Sequence, residues 1–368
     1  MRYTAVAVQT ESYNIWKRKT IDKNLERAMQ LIEFSCTSTG TSTTGSQTTG
    51  YAPVKLITFP EFFLQGYTAS ADIKKYKEDI LIQIPGKETE QLGRLAKKYR
   101  IYICGAALEE IEGWDHAVFN CAFIIGPEGY VIHKYHKFIP AVQWELSVSP
   151  HDLLDEYMQK FGKGKSVLET LFPVTDTEIG KIGTFICMDG HIPEISRALA
   201  MNGAEVLLRP TAFPEPLVYE PKNWWEIQNR ARALENICYV IAPNSGGRKH
   251  ADGDERHPRM GPKGFCPGDS MIVDFEGQII GRTPYPGETI ASGIIDLHSL
   301  RERRLEPARN FPTLLRNDVL AEVYKYPIYP PNKFTENSWT TPSQLSERSP
   351  DKLGVIERML KKGIFTRP

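Results

Sequence analysis

The chain has 368 residues, of which 41% are hydrophobic and 24% are charged, the composition of an ordinary globular protein. Its 45 basic and 45 acidic side chains cancel, so the sequence lacks the electrostatic signature of a protein that binds nucleic acid or an anionic membrane. No apolar run approaches the roughly 18 residues that span a bilayer, and residues 2–9 alternate like a strand rather than a signal peptide, which predicts a cytoplasmic protein.

Strand and helix signals alternate over the first hundred residues. Apolar residues recur on one face of two predicted helices, at positions 21–34 and 88–99. Apolar or alternating runs predict three strands, at residues 3–9, 54–59 and 101–107. This order is typical of an α/β fold in which each helix lies on a sheet.

Two short connections then predict hairpins, so the sheets should be mixed rather than purely parallel. The first hairpin joins residues 119–125 to 130–134, and the second joins 270–275 to 278–281. Between them we predict a strand ending at 187, a helix over 193–202, a strand over 204–208, a helix over 223–235 and a strand over 237–241. Residues 1–300 are therefore expected to form one domain.

Four segments have little apolar periodicity. Residues 37–50 consist only of Thr, Ser, Gly and Gln and predict a surface loop. Residues 147–165 and 248–268 predict long irregular connections, which often act as lids or interface elements. Residues 301–368 turn to Arg, Pro and Tyr and predict a C-terminal extension, either an oligomerisation arm or a partly disordered segment.

The cysteine pattern favours reduced thiols. Six cysteines occur without a C-x-x-C pair, which argues against a disulfide framework or a zinc site. Cys104, Cys121 and Cys238 lie within apolar runs and are predicted core residues. His133 and His136 have a spacing compatible with metal ligation, but their segment is basic and holds no nearby carboxylate or thiol. We therefore expect neither a metal nor a cofactor.

Cys187 differs from those three cysteines in the residues on its C-terminal side. The apolar run that ends at Ile186 stops at the thiol, and turn residues lead to a helix start at Pro193. A strand that ends there would place the sulfur at the carboxyl edge of a sheet, among free backbone N–H groups. On this feature alone, Cys187 is either a candidate nucleophile or one more small buried hydrophobe.

Two charged residues follow apolar strands in the same way. Glu61 comes directly after Pro60 and before two phenylalanines, surroundings that would desolvate its carboxylate and raise its pKa toward that of a general base. Lys137 follows the second strand of the first hairpin. An ammonium aimed at a developing oxyanion commonly contributes about 3–4 kcal/mol to catalysis.

Glu61, Lys137 and Cys187 are separated by 137 − 61 = 76 and 187 − 137 = 50 residues. Their order, spacing and strand-end context resemble the Glu-Lys-Cys triad of the nitrilase superfamily of carbon-nitrogen hydrolases. The motifs that carry the resemblance are Phe59-Pro60-Glu61, Tyr135-His136-Lys137, and Ile186-Cys187-Met188-Asp189-Gly190 followed by Pro193-Glu194. Within the superfamily, residues 3–300 look most similar to aliphatic amidases and formamidases.

The resemblance implies a four-layer α-β-β-α sandwich that assembles into a homodimer or a higher homo-oligomer. It also implies that Glu61 deprotonates Cys187, and that the thiolate attacks a small amide to form an acyl-thioester. Lys137 and the backbone N–H of Met188 would stabilise the oxyanion. Glu145, which lies 145 − 137 = 8 residues beyond Lys137, would correspond to a second glutamate that orients the substrate amide.

The identity of the substrate stays open at this point. Met188 stands where those amidases have an acidic residue, and an N-carbamoyl amine is the nearest alternative to an amide. A nitrile is less favoured, because nitrilases have Trp-Glu after the cysteine. A non-catalytic scaffold is the alternative from another functional class. Phe62, Tyr67, Trp144 and Phe213 could line a substrate pocket or be ordinary core residues.

Overall fold

The strands form two six-stranded sheets and one two-stranded ribbon in a computed structural model that describes residues 1–38, 52–67, 71–141, 144–213, 222–250 and 267–368. In chain order the strands are β1 (Arg2–Gln9), β2 (Glu11–Asn14), β3 (Val54–Glu61), β4 (Tyr102–Glu109), β5 (Phe119–Ile125), β6 (Val131–His136), β7 (Val174–Thr177), β8 (Gly180–Thr184), β9 (Val206–Leu208), β10 (Tyr239–Ala242), β11 (Gly247–His250), β12 (Met271–Val273), β13 (Ile279–Arg282) and β14 (Thr289–Asp296).

The helices of the described residues flank the sheets or belong to the C-terminal segment. The α-helices are α1 (Ile21–Ser38), α2 (Ile73–Lys75), α3 (Lys87–Tyr99), α4 (Leu154–Phe161), α5 (Val167–Leu171), α6 (Pro193–Met201), α7 (Trp224–Asn236), α8 (Leu297–Leu305), α9 (Asn317–Leu320), α10 (Lys333–Glu336) and α11 (Val355–Lys361). Shorter helical segments include the 3₁₀ turns Pro150–Leu153, Cys187–His191 and Pro342–Arg348. No helix in the described part of the chain is both long enough and apolar enough to cross a membrane.

Both large sheets are mixed, as predicted. The first sheet has the order β14-β1-β3-β4-β5-β6, with β1, β3 and β4 parallel to one another. The second has the order β13-β12-β10-β9-β8-β7, with β8, β9 and β10 parallel. The two predicted hairpins appear as the antiparallel pairs β5–β6 and β12–β13.

The side chains of β1 point alternately into two cores, which shows how the layers are arranged. Tyr3, Ala5 and Ala7 point into a core shared by the two sheets, whereas Val6 and Val8 point into the core under the helices of the first sheet. A strand that is buried on both faces needs apolar residues at most positions, and all residues of β1 after the first are buried.

Helices cover the outer face of each sheet and complete the sandwich. Leu25 of α1 and Leu92 of α3 pack on the first sheet, and Leu199 of α6 and Trp225 of α7 pack on the second. The four layers are therefore helix, sheet, sheet and helix, which confirms the predicted α-β-β-α architecture.

The strand β14 and residues 147–165 are among the parts of the fold that differ from the sequence prediction. The pattern does not predict β14, although β14 pairs with β1 along its whole length. Its residues include Ala291 and Gly293, and such small residues give only a weak hydrophobic alternation. The prediction of an irregular stretch over 147–165 is wrong. Ser149 caps a helical turn that leads into α4, and Tyr157 of that helix is buried.

The predicted loops 37–50 and 248–268 lie mostly outside the described residues. The C-terminal extension is described, and α8 runs through its predicted start at residue 301. Phe334, Trp339 and Leu345 of the extension pack into the chain's own core. Other apolar side chains, among them Val319 and Val323, are exposed. A contact of these exposed residues with a second subunit stays a prediction.

Candidate active site

The three triad candidates lie at strand ends contributed by both sheets. Glu61 is the last residue of β3 and Lys137 directly follows β6, both in the first sheet. Cys187 begins the 3₁₀ turn after β8 of the second sheet. The exposed fractions of Glu61, Lys137 and Cys187 are 3%, 1% and 6%, so all three residues are buried away from bulk water.

Lys137 connects two carboxylates. Its Nζ donates to Oε1 of Glu61 at 2.6 Å and to Oε2 of Glu145 at 2.6 Å. The structure thus brings Glu145 to the triad, as the resemblance implies. Charge-assisted hydrogen bonds of this length inside a buried cluster hold the ammonium firmly in one position.

Asn120 of β5 bridges the same two carboxylates. Its Nδ2 donates to Oε1 of Glu61 at 2.8 Å and to Oε1 of Glu145 at 2.7 Å. The sequence prediction missed this residue, although a signal existed, because Asn120 carries the one carboxamide in the apolar run of β5. A buried amide must find hydrogen-bond partners, and here the partners are the two glutamates.

Two further donors bind only Glu145. The hydroxyl of Ser147 donates to Oε1 at 2.6 Å, and the backbone N–H of Ala141 donates to Oε2 at 3.1 Å. The carboxylate of Glu145 therefore has donors at both oxygens from within its own chain segment. This makes it a rigid, ionised acceptor.

The two carboxylates share one ammonium, and their pKa values move in opposite directions. Burial raises the pKa of Glu61, and the charge of Glu145 adds to that shift, although Lys137 opposes it. Burial also disfavours ionised Glu145, but Lys137 and the hydrogen bonds from Ser147 and Asn120 outweigh it, so the pKa of Glu145 is lowered. Glu61 is thus the group suited to exchange a proton, and Glu145 the group suited to stay charged.

Cys187 has a strained backbone at the turn that presents its thiol. Its φ is +45°, a region that non-glycine residues rarely adopt and that is found at strand-to-helix nucleophile turns. Its N–H donates to the carbonyl of Pro210 at 3.1 Å, and two residues after that proline the N–H of Ala212 donates to Oε2 of Glu61 at 3.1 Å. One short segment therefore contacts both the nucleophile's backbone and the candidate base.

The surroundings of Cys187 favour the thiol over the thiolate. Burial raises its pKa, and the negative charge of Glu61 raises it further, while Lys137 and Arg209 act in the opposite direction. Deprotonation therefore requires a base at the moment of attack. Glu61, whose own pKa is raised, is the group suited to supply it.

Arg209 supports the nucleophile turn. Its Nε and Nη2 donate to the carbonyl of Cys187 at 3.2 and 2.8 Å, and its guanidinium lies over the rings of Phe185, Phe213 and Trp225 at 5.7, 5.7 and 5.0 Å. The residue is fully buried. No local pattern marks an arginine for this role, because its acceptor is a backbone carbonyl from a different strand end.

Gly190 gives Arg209 its space. A Cβ at Gly190 would lie 2.1 Å from Cζ of Arg209, well inside contact distance. We expect Gly190→Ala to lower the free energy of unfolding by about 1–3 kcal/mol, because the guanidinium must leave its place. Turnover should fall as well, since Arg209 would release the Cys187 carbonyl. Thermal unfolding and initial rates measure both effects.

Gly126→Ala is the matched control for that variant. The three atoms nearest to a Cβ at Gly126 would be side-chain atoms of Ile132, the closest at 3.3 Å. This variant should keep its activity and most of its stability. A Gly190→Ala protein with wild-type stability and turnover would contradict the tight packing between Gly190 and Arg209.

Asp189 links the nucleophile turn to the segment that carries Lys137. Its carboxylate accepts hydrogen bonds from the hydroxyl of Tyr135 at 2.8 Å, the N–H of Ile139 at 2.7 Å and the N–H of Ile186 at 2.8 Å. Tyr135 and Ile139 flank Lys137 in sequence, and Ile186 precedes Cys187. Asp189 thereby holds residues on both sides of Lys137 and the residue before Cys187 in one hydrogen-bonded cluster.

The predicted pocket residues fall into different environments. Phe62 and Tyr67 are buried and pack together, with ring centroids 5.9 Å apart. Phe213 is buried and packs against His191 and Trp225. Met188 is partly buried and follows Cys187 directly, and Trp144, beside Glu145, is 47% exposed. Substrate contacts for all the predicted pocket residues stay predictions.

The two histidines considered as metal ligands are engaged elsewhere. His133 hydrogen-bonds Thr175 and Thr184 through its two ring nitrogens. His136 does the same with Tyr157 and Glu109. Glu109, Cys121 and His136 lie together with their ligand atoms within 4.8 Å of one another. The fold therefore places beside His136 a carboxylate and a thiol that its own sequence segment lacks, and the ammonium of Lys134 also contacts that glutamate.

Comparison with known families assigns the chain to one of them. The sequence model of the carbon-nitrogen hydrolases matches residues 4–305, which include all the candidate catalytic residues. This chain belongs to the carbon-nitrogen hydrolase family. The match also spans both sheets and ends with α8.

Relatives of this carbon-nitrogen hydrolase are named for several kinds of C–N bond. It is 33% identical over 233 residues to the deaminated glutathione amidase of Mus musculus, covering 62% of this chain and 65% of the relative. It is 30% identical to a formamidase of Helicobacter acinonychis, covering 54% and 52%. It is 25% identical to the bifunctional nitrilase/nitrile hydratase NIT4A of Lupinus angustifolius, covering 68% and 71%.

Solved structures show the same fold. A carbon-nitrogen hydrolase from Helicobacter pylori superposes with a TM-score of 0.62 at 22% identity, covering 88% of this chain and 99% of that one. Nit3 of Saccharomyces cerevisiae, a member of branch 10 of the nitrilase superfamily, superposes with a TM-score of 0.59 at 22% identity, covering 84% and 97%.

Proposed function

We propose that this carbon-nitrogen hydrolase cleaves a small linear amide through an acyl-thioester on Cys187, releasing a carboxylic acid and ammonia. The observation that carries the proposal is the buried contact of Lys137 with both Glu61 and Glu145. One carboxylate has a raised pKa and the other a lowered pKa. The reaction needs one of each: a group that moves protons and a group that holds the amide.

In the first half-reaction Glu61 accepts the proton of the Cys187 thiol as the sulfur attacks the amide carbon. The carbonyl oxygen becomes an oxyanion, which Lys137 and the N–H of Met188 stabilise. The C–N bond then breaks, Glu61 returns the proton to the nitrogen, and ammonia leaves. The acyl group remains on the sulfur as a thioester.

In the second half-reaction water replaces the sulfur. Glu61 takes a proton from the water, whose oxygen attacks the thioester carbon, and the same oxyanion donors act again. The C–S bond breaks, the carboxylic acid forms and the sulfur regains a proton. Protons therefore balance over the cycle with Glu61 as the only carrier.

Glu145 favours an amide over a nitrile. An ionised carboxylate only accepts hydrogen bonds, an amide nitrogen offers two N–H donors, and a nitrile nitrogen offers none. Two relatives are named as an amidase and a formamidase, which agrees with this choice, whereas another is named as a nitrilase/nitrile hydratase. An N-carbamoyl amine also offers N–H donors to Glu145, and it is the second candidate substrate class.

The test compares a short aliphatic amide, an N-carbamoyl amine and an aliphatic nitrile for ammonia release by the purified protein. We expect the amide to react fastest, with an acyl adduct on the peptide that contains Cys187 in the mass spectrum of acid-quenched enzyme. Faster release from the carbamoyl amine would select the second candidate. A faster nitrile reaction would reject the proposal, and no turnover of any substrate would favour a non-catalytic scaffold.

A further inference from the structure

We propose that the C-terminal extension is part of the active site of its own chain, and that Arg348 is a positioning residue that fixes Glu145. This inference rests on the proposed function, because it assigns its effect to the glutamate that holds the substrate. It gives the extension a role in addition to the predicted contact with a second subunit.

Arg348 binds the chain segment that carries Glu145. Its Nη1 donates to the carbonyl of Ser147 at 2.8 Å, and its Nη2 donates to the carbonyl of Ala141 at 2.8 Å and to the carbonyl of Glu145. The side chain is only 2% exposed. Within the described residues, every hydrogen-bond acceptor of this guanidinium is a backbone carbonyl of that segment.

The three residues held by Arg348 are the residues that set the Glu145 carboxylate. Ala141 donates its N–H to one carboxylate oxygen, and Ser147 donates its hydroxyl to the other. Arg348 therefore fixes the backbone of Glu145 and of both local donors. A shift of this segment would move the carboxylate and its two hydrogen bonds together.

An arginine is the side chain suited to this arrangement. Its planar guanidinium presents several N–H donors in a fixed fork, which can reach three carbonyls at once, whereas a lysine ammonium is a point charge on a flexible stem. Burying a cation without a hydrogen-bonded carboxylate is costly, and burial lowers the pKa of Arg348. The fold tolerates that cost at the segment beside the catalytic lysine.

Contacts of Arg348 and of residues before it hold this part of the extension in place. Its Cζ lies 5.8 Å from the ring centroid of Trp339, a buried residue of the extension. Upstream, the N–H of Asn332 donates to the carbonyl of His151 at 3.0 Å. The carbonyl of Thr340 accepts from the N–H of Ile73 at 2.8 Å. The extension is thus anchored to the catalytic domain at separate points along its length.

The experiment is a double-mutant cycle between Arg348→Ala and Glu145→Gln, measured on the amide substrate. Arg348→Ala alone should lower kcat/KM by about 10- to 100-fold, the effect of a misplaced positioning group. Glu145→Gln retains the nucleophile, the base and the oxyanion donors, so a residual rate is expected. In that background the arginine substitution should change the rate less than about threefold, because its target has already been removed.

Arg358→Ala is the matched control. Arg358 also belongs to the extension and also donates to a backbone carbonyl, that of Ile328, but both residues lie within the extension. This variant should retain wild-type kcat/KM. If Arg348→Ala does not fold, Arg348→Lys replaces it in the cycle, since lysine keeps the stem and the charge but lacks the fork.

The outcomes separate this inference from the proposed function. Wild-type kcat/KM in Arg348→Ala, or an equal loss with and without Glu145→Gln, would reject the positioning role while amide hydrolysis stands. An inactive wild-type protein, or a Cys187→Ala variant as active as the wild type, would reject the proposed function instead.

Discussion

Cys187→Ala is expected to lower amide turnover by about 10⁴-fold or more, the usual effect of removing a covalent nucleophile. The variant should stay folded, because alanine is smaller and can occupy the same backbone turn at a comparable conformational cost. Ammonia release measures the first effect, and thermal unfolding measures the second. No acyl adduct should form on this variant.

Cys104→Ala provides the matched control. Cys104 is another fully buried cysteine, packed between the two sheets in a different core cluster from Cys187. Its replacement should cost about 1 kcal/mol of stability through lost packing and leave turnover unchanged. A Cys187→Ala protein that still hydrolyses the amide at the wild-type rate would exclude the thioester mechanism.

The second prediction with a large effect concerns the buried charges of the active site. Two substitutions there should differ in their effect on stability. Lys137→Met leaves the carboxylates of Glu61 and Glu145 buried without their shared ammonium, so the free energy of unfolding should fall by about 3–5 kcal/mol. Glu61→Gln removes one of the two negative charges and leaves a balanced pair of Lys137 and Glu145. Its stability should be close to that of the wild type or higher.

Both variants should nevertheless lose turnover by about 10³-fold or more, since one lacks the oxyanion group and the other the base. Urea unfolding at pH 7 and initial rates distinguish stability from catalysis. A Lys137→Met protein as stable as Glu61→Gln would contradict the charge assignment of Glu61, Lys137 and Glu145.

The same assignment predicts a pH dependence. The folded protein raises the pKa of Glu61, so it binds that proton more tightly than the unfolded chain does. The stabilising contribution of Glu61 is complete below the unfolded pKa of about 4.3 and is lost as the pH rises through the folded pKa. The stability of the wild type relative to Glu61→Gln should therefore decrease from about pH 4 upward. Urea unfolding of both proteins at several pH values measures this difference in stability. If the difference stays constant with pH, the raised pKa of Glu61 is refuted.

Local patterns and the family resemblance together led to the candidate catalytic residues and the fold class. Glu61, Lys137 and Cys187 each stand at or after the end of an apolar strand, and the alternation of strands and helices predicts an α/β fold, whereas the sandwich layering is implied by the resemblance. Such signals can be read from the sequence because a strand and its terminating turn are built from neighbouring residues. Asn120 was also within reach, since a carboxamide inside an apolar strand must be hydrogen-bonded once buried.

The supporting residues needed the folded chain. Arg209 donates to a carbonyl 22 residues away, and Arg348 donates to carbonyls 201 to 207 residues away. A backbone carbonyl looks the same at every position in a sequence, so no residue pattern marks it as an acceptor. Residue order therefore reveals which groups can react, whereas the packing of distant segments decides how those groups are held.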